Sequence, residues 1–250
     1  MINLSVNVNK VATVRNARGG SIPSILEAVR VCIEAGAQGI TVHPRADARH
    51  ITADDVWEIA RYLAQSRSGT ENRVEYNIEG DPRPDLMELV HTVKPDQCTL
   101  VPVRPGEITS QAGWSGDTPF GTLRRAIRDL GDARVRVSLF VDPDAAPIRL
   151  AADLGADRVE LYTEPFARAF ERGAPAAARS FETYVRAAEL AHSLQLGVNA
   201  GHDLDLENLV LFRTLPHLDE VSIGHALVSH ALFVGLAQSV RDYVHVLTAS

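Results

Sequence analysis

Eight short strand-like runs alternate with amphipathic stretches from one end of this chain to the other, and few architectures accept that order. The runs lie near residues 2–8, 38–43, 74–79, 97–101, 134–141, 157–161, 196–199 and 219–223. Helix-like stretches lie near 23–36, 52–66, 82–94, 119–130, 143–154, 180–194 and 205–214, with a last one from about 226 to 247. Strands separated by helices pair in parallel, and eight such units in 250 residues match the usual size of one closed barrel. The expected fold is therefore α/β: a single (β/α)8 TIM barrel over 1–250, with extra helices.

The alternation inside the runs says where polar chemistry sits. Side chains along a strand alternate between its two faces. Leu4, Val6 and Val8 thus share one face while Asn3, Ser5, Asn7 and Asn9 share the other. Likewise Val74, Tyr76 and Ile78 oppose Glu75, Asn77 and Glu79, and Ile40 and Val42 oppose Thr41 and His43. A parallel strand covered on both sides normally reads apolar on both faces. Buried amides and carboxylates need partners or a ligand, so the repeated polar parity predicts a polar lumen opening onto a site at the strand ends.

Composition narrows the function classes. A net charge of -7 opposes nonspecific nucleic-acid binding but leaves room for a local cationic cluster around a small anion. Cys32 and Cys98 are too few and too far apart for a disulfide framework or a metal knot and read as core thiols. The amino terminus lacks a basic segment followed by an apolar one, and no apolar run approaches bilayer length, so a cytoplasmic protein with no membrane partner is expected.

Local signals divide the chain further. Pro23, Pro82, Pro119 and Pro143 fall where first-turn prolines are tolerated, and Thr52 with Asp55 resembles a capping box. Gly36 and Gly155 each join a helix end to an apolar strand and suit a left-handed C-cap. Two connections exceed the usual α/β loop length. Residues 102–117, rich in Gly, Ser and Thr, read as an active-site lid; residues 163–179, with Phe166 and Phe170, read as an extra helix and subunit contact.

The reactive residues cluster at strand ends. His43 opens His43-Pro44-Arg45, with Arg49-His50 close behind, and imidazole near neutrality beside guanidinium suits proton transfer on a phosphorylated ligand. Glu79 ends the third strand on the polar parity, where burial raises a carboxylic acid toward use as a base. His202 follows a Gly after the seventh strand, with Asp203 or Asp205 in position to cap the next helix. Gly224 and His225 start a helix straight after the last strand, the place where many barrels hold phosphate through backbone N–H groups. Residues 9–20, with Lys10, Arg15, Arg18 and a Gly pair, read as a long rim loop suited to closing over an anion.

Taken together the motifs closely resemble the pyridoxine 5'-phosphate synthase family. The likeness runs nearly end to end. It is carried by Val6-Asn7-Val8 with the stretch 12–19, residues 39–45 with Arg49-His50-Ile51, Asn77-Ile78-Glu79, Leu100-Val101-Pro102, residues 137–140, residues 198–202 and Ile223-Gly224-His225. The resemblance implies a (β/α)8 homo-octamer that uses no metal or organic cofactor. It implies condensation of 1-deoxy-D-xylulose 5-phosphate with 3-amino-2-oxopropyl phosphate to pyridoxine 5'-phosphate, phosphate and water, in vitamin B6 biosynthesis. By matching motif, His43 and Glu79 are the proton acceptors and His202 the donor. Asn7, Arg18, Asp203, Gly224 and His225 contact the amino-oxopropyl phosphate, and Arg45, His50 and Thr109 the deoxyxylulose phosphate. Two positions depart from the family's pattern: Asn9-Lys10 stand where an Asp-His pair is commoner, and Asp203 stands where Gly is often found. Both departures are kept as substrate-binding candidates.

Two other readings share these residues. A metal-dependent sugar-phosphate isomerase also uses His and carboxylate at strand ends, but no second and third carboxylate are expected to end other catalytic strands. A non-catalytic phosphate-binding barrel requires His43 and Glu79 to lie too far apart to address one ligand.

Overall fold

The computed structural model describes residues 1–66, 73–103, 112–115 and 120–249. Eight strands form a closed barrel in chain order, each parallel to its neighbours. They are β1 (Asn3–Asn7), β2 (Gly39–Val42), β3 (Glu75–Gly80), β4 (Gln97–Leu100), β5 (Arg136–Val141), β6 (Arg158–Tyr162), β7 (Gly197–Gly201) and β8 (Leu218–Ile223). Each expected strand is present.

One parity of these strands makes the core. Leu4, Val6, Ile40, Val42, Ile78, Leu139, Val159, Leu161, Val198 and Val221 are buried against the surrounding helices. The other parity fills the lumen with Ser5, Thr41, Asn77, Gln97, Thr99, Ser138, Glu160, Asn199, Glu220 and Ser222, all buried. A hydrogen-bonded ladder satisfies much of it. Ser5 Oγ lies 2.7 Å from Thr41 Oγ1, Asn77 Nδ2 donates to Thr41 Oγ1 at 3.3 Å, and Thr99 Oγ1 donates to Asn77 Oδ1 at 3.1 Å. Lower down, Arg136 donates to Gln97 and Glu75, Arg158 donates to Asn199 Oδ1 at 2.8 Å, and Asn199 donates to Glu220 Oε1 at 3.3 Å. The polar parity read from sequence is therefore a lumen whose desolvation is offset by its own contacts.

The helices follow the expectation with four corrections. Residues 9–20 are not an open loop, because α1 (Asn9–Asn16) begins directly after β1 and buries Val11 and Ala12. The expected 205–214 helix shrinks to α9 (Leu209–Phe212), because Asp205 and Asn208 bond each other's backbone N–H groups in the turn before it. The expected 226–247 helix is two, α10 (His225–Val234) and α11 (Leu236–Thr248), broken at Gly235 with φ 84°. The proline expectation also shifts: Ser24 caps α2 (Ile25–Glu34) and Asp144 precedes α6 (Ala145–Leu154), so Pro23 and Pro143 lie outside those helices, and Pro84 rather than Pro82 occupies the first turn of α4 (Pro84–Val93).

Other local signals hold. Thr52 and Asp55 form the capping box of α3 (Ala53–Ser66), with N–H to side-chain bonds of 2.8 and 3.3 Å in the two directions. Gly36 and Gly155 have φ of 107° and 84°. Cys32 and Cys98 are buried, unpaired thiols. After β6, α7 (Glu164–Glu171) and α8 (Ala174–Ser193) supply the expected extra helix. Its Phe166 is fully buried among Phe170, Phe181, Tyr184 and Phe212, so those rings pack within the chain. Residues 104–111 and 116–117 of the expected lid, Thr109 included, lie outside the described residues. Among the described residues no helix is long and apolar enough to cross a membrane.

Candidate active site

A cavity of about 500 Å³ opens at the C-terminal ends of the strands. Its wall gathers Asn7, Asn9 and Lys10 from the β1–α1 junction, His43, Arg45 and His50 after β2, and Glu79 at the end of β3. His202 and Asp203 after β7, and Gly224 and His225 after β8, close the circle. Arg18 stands apart, exposed in the turn after α1 and outside this lining.

Three neighbouring strand ends are tied into one circuit. Asn7 Nδ2 donates to Glu79 Oε2 at 3.4 Å, and Asn7 Oδ1 accepts from the Asn9 N–H at 3.1 Å. Asn9 Oδ1 in turn accepts from the His43 N–H at 3.0 Å. The circuit closes where His43 Nδ1 comes within 3.9 Å of Glu79 Oε2. Asn9 therefore has a task that its sequence position did not reveal: it holds the main chain of His43.

Burial sets the protonation states. Loss of solvent, reinforced by His50, Arg45 and Arg83, pushes His43 down to about 3, so the imidazole is neutral near pH 7. Its Nε2 is buried without a hydrogen-bond partner among the described residues. Loss of solvent, reinforced by Glu220, pushes Glu79 up to about 8. The close approach of the two groups is accordingly a contact between neutral partners at neutral pH, not an ion pair. His50 is lowered to about 4 by burial and by the charges of Arg45 and Lys10. Its Nδ1 accepts the Ile51 N–H at 3.0 Å, which leaves the proton of the neutral ring on Nε2.

The loop bearing Arg45, Arg49 and His50 is clamped from α1. Arg15 pairs with Asp55, Nη2 to Oδ2 at 2.9 Å, and donates to the His50 carbonyl, which also accepts from Asn16 Nδ2 at 2.8 Å. Arg15 is thus a structural cation, whereas Lys10 faces the cavity.

Across the cavity, His202 and Asp203 both have positive φ, 88° and 60°. The Thr163 hydroxyl donates to the carbonyls of Gly201 and His202, and Asn208 Nδ2 donates to the Asp203 carbonyl, which hold this conformation. Asp is among the few non-glycine residues that adopt the left-handed region readily, which accounts for a side chain being accommodated at position 203. Its carboxylate also lies 3.0 Å from His202 Nδ1 and orients the ring; that bond draws Asp203 below the usual carboxylate range.

Sequence reasoning passed over Glu160, whose carboxyl lines the same cavity. A Cβ on Gly201 would meet Glu160 Oε1 at 2.5 Å, so the glycine leaves room for this acid. Burial, then Glu79, raises Glu160 well above its ordinary value. The signal lay in the alternation of Arg158, Glu160 and Tyr162 with Val159 and Leu161, the same pattern as in β3. It sits one inward step below the end of β6, so it does not add a carboxylate to the strand ends themselves. Even so, no group of three His, Cys, Asp or Glu among the described residues is arranged to hold a metal ion.

The family model described as "Pyridoxal phosphate biosynthesis protein PdxJ" matches residues 4–249. The chain belongs to the PdxJ family. Curated relatives named pyridoxine 5'-phosphate synthase include one from Bacteroides fragilis, 49% identical over 99% of this chain and 100% of its own. Another, from Leptospira biflexa, is 48% identical over 99% of this chain and 98% of its own. Among solved structures, 3-hexulose-6-phosphate synthase from Salmonella typhimurium superposes with a TM-score of 0.66 at 16% identity, covering 98% of each chain. Phosphoribosyl anthranilate isomerase from Thermotoga maritima does so with a TM-score of 0.60 at 10% identity, covering 100% of each. At those identities the likeness establishes the barrel, and the PdxJ assignment rests on the sequence matches.

Proposed function

We propose that this PdxJ-family chain closes the pyridine ring of pyridoxine 5'-phosphate from 1-deoxy-D-xylulose 5-phosphate and 3-amino-2-oxopropyl phosphate. The observation that carries the reading is the 3.9 Å approach of His43 and Glu79 in a cavity also lined by Lys10, Arg45 and Arg49. A non-catalytic phosphate barrel has no use for that pair. The substrate atoms balance as pyridoxine 5'-phosphate, one inorganic phosphate and two waters. Imine formation between the amine and the ketone releases one water; carbon–carbon closure with loss of phosphate and the second water completes the ring.

Each loss needs a proton delivered and each enolisation a proton removed. His43, held neutral, is ready to accept. Glu79, with its affinity raised to about 8, exchanges protons near working pH. His202, oriented by Asp203 on the opposite wall, is assigned the donor role. The uncapped N-terminus of α10 at Gly224 and His225, together with Asn7 and Asp203, is assigned to the amino-oxopropyl phosphate. Arg45 and His50 are assigned to the deoxyxylulose phosphate; Thr109 and Arg18 remain assignments by motif. Incubating the two substrates with the protein tests the reading: a product with the mass and absorbance of pyridoxine 5'-phosphate is expected, and its absence at stoichiometric enzyme refutes it.

Lys10 is assigned to the deoxyxylulose phosphate beside His50. A charge-assisted bond of this kind is worth roughly 1.5–3 kcal/mol, or about 10- to 150-fold in affinity. Lys10→Met should weaken that substrate by this factor and leave the amino-oxopropyl phosphate unaffected in separate titrations. Equal affinities in parent and variant for both ligands would return Lys10 to the status of a solvated residue.

Self-association belongs to the same proposal, with a homo-octamer as the expected state and residues 163–179 as one contact. Support for it comes from the apolar run Leu232-Phe233-Val234 at the end of α10, of which Phe233 is 88% exposed. Sedimentation equilibrium measures the state directly.

A further inference from the structure

At the rim the inward parity of the barrel ends in a polar residue or a glycine on five strands and in an apolar or aromatic side chain on three. On β4 it reads Gln97, Thr99 and then Val101; on β5 Arg136, Ser138 and then Phe140; on β6 Arg158, Glu160 and then Tyr162. On the other strands it ends in Asn7, His43, Glu79, Gly201 and Gly224. Val101, Phe140 and Tyr162 form an apolar cluster of their own, separate from the core between barrel and helices. The Phe140 and Tyr162 rings lie 5.4 Å apart, and the Tyr162 ring meets His202 edge-on at 5.2 Å. Val101 and Phe140 face the cavity.

The position of this patch matters as much as its chemistry. In a closed eight-stranded barrel β5 and β6 stand opposite β1 and β2. The cations of the cavity, Lys10, Arg45 and Arg49, all follow β1 and β2. The cavity is therefore polarised, with a cationic wall facing an apolar shelf, and the His43–Glu79 pair and Glu160 line the same space. A ligand that matches is anionic at one end and carries a small alkyl group at the other. Of the two substrates assigned above, only the deoxyketose phosphate has a methyl terminus, and that methyl survives as the ring methyl of the product.

We propose that Val101 and Phe140, with Tyr162 packed behind them, form the specificity surface that receives the methyl group of 1-deoxy-D-xylulose 5-phosphate and rejects the ketose phosphate carrying a hydroxyl there. The proposal rests on the assigned reaction. A hydroxymethyl group on the shelf loses hydration without finding a partner, whereas a methyl loses nothing of the kind. Because the ketone to be converted to the imine is next to that methyl, seating it on the shelf also sets the ketone between the two walls.

The test compares kcat/KM for 1-deoxy-D-xylulose 5-phosphate and D-xylulose 5-phosphate, each with 3-amino-2-oxopropyl phosphate. The parent protein is expected to favour the deoxy substrate by about 100-fold, the range in which an apolar pocket rejects an added hydroxyl. Val101→Thr, which offers the hydroxyl a partner with little change in shape, should narrow the preference about tenfold, while Val101→Ile keeps it. A general structural defect would lower both substrates together and leave the ratio alone. Val101→Ala serves if the Thr variant fails to fold, and a narrowed ratio is again expected. Equal turnover of both ketose phosphates by the parent, or a ratio unmoved in the Thr and Ala variants, overturns the shelf while leaving the reaction standing. No pyridoxine 5'-phosphate from the deoxy substrate overturns the assigned reaction and the shelf with it.

Discussion

Turnover of the Glu79→Gln protein should fall by at least ~100-fold, and that of His43→Asn by a similar factor, the range that a positioned acid or base supplies. Both side chains belong to the circuit that runs through Asn7 and Asn9, so their effects are not independent. The double variant is accordingly expected to lose little more than either single one. The pH profile separates loss of a proton acceptor from loss of shape. With Glu79 raised to about 8, the parent's rate should climb toward that pH as the acid ionises, and Glu79→Gln should lack that limb. Gln keeps the shape and much of the hydrogen bonding, so folding at neutral pH survives. Near-normal turnover in either single variant removes that residue from the chemistry.

The barrel was legible because parallel strands and their crossovers impose two periods on one chain, and both are written in β-branched and amphipathic patterns. The elements that escaped are those where local chemistry hides the period. Helix α1 carries Val11, Thr13 and Val14, residues that read as strand or loop, and it starts without a connection because Asn7 Oδ1 bonds the Asn9 N–H at the strand's end. The break at Gly235 looks like one tolerated glycine inside a long helix; it becomes a reversal only because α10 and α11 pack on each other, with Ser239 Oγ donating to the Leu227 carbonyl at 2.8 Å.

The lining of the candidate site was legible wherever a reactive side chain ends a strand or follows it directly, as Glu79, His43 and His202 do. Glu160 sits one inward step below the end of β6, where sequence position points to the lumen and not to the cavity floor. Asp203 holds a positive φ, and this backbone state has no one-letter signature. Arg18 shows the converse, a residue named by motif that this fold leaves exposed outside the cavity.

Glu220→Gln should stabilise the protein at pH 8 by on the order of a few kcal/mol and leave its stability at pH 4 nearly unchanged. Glu220 lies in the lumen below the cavity, where burial, then Glu75, pushes it up to about 8 despite Arg158 and Arg136 nearby. Below about 4.5 both the folded and the unfolded chain hold this proton, and the favourable protonated state is fully present. As pH rises toward 8 the unfolded chain has released the proton while the folded chain still binds it, so stability falls with pH. Each unit of separation is worth ~1.4 kcal/mol. His43 and His50 act in the opposite sense: their lowered values mean stability is lost as pH falls from the ordinary imidazole range toward about 3 and about 4. The alkaline slope should flatten in Glu220→Gln and the acid slope should not. Urea unfolding at a series of pH values reads both, and parallel curves for parent and variant would mean that Glu220 is ionised and paired in the folded state. A second readout reaches the chemistry from a residue outside the cavity. Because the Glu220 charge is one of the causes holding Glu79 up, its removal should move the rising limb of the rate profile to lower pH.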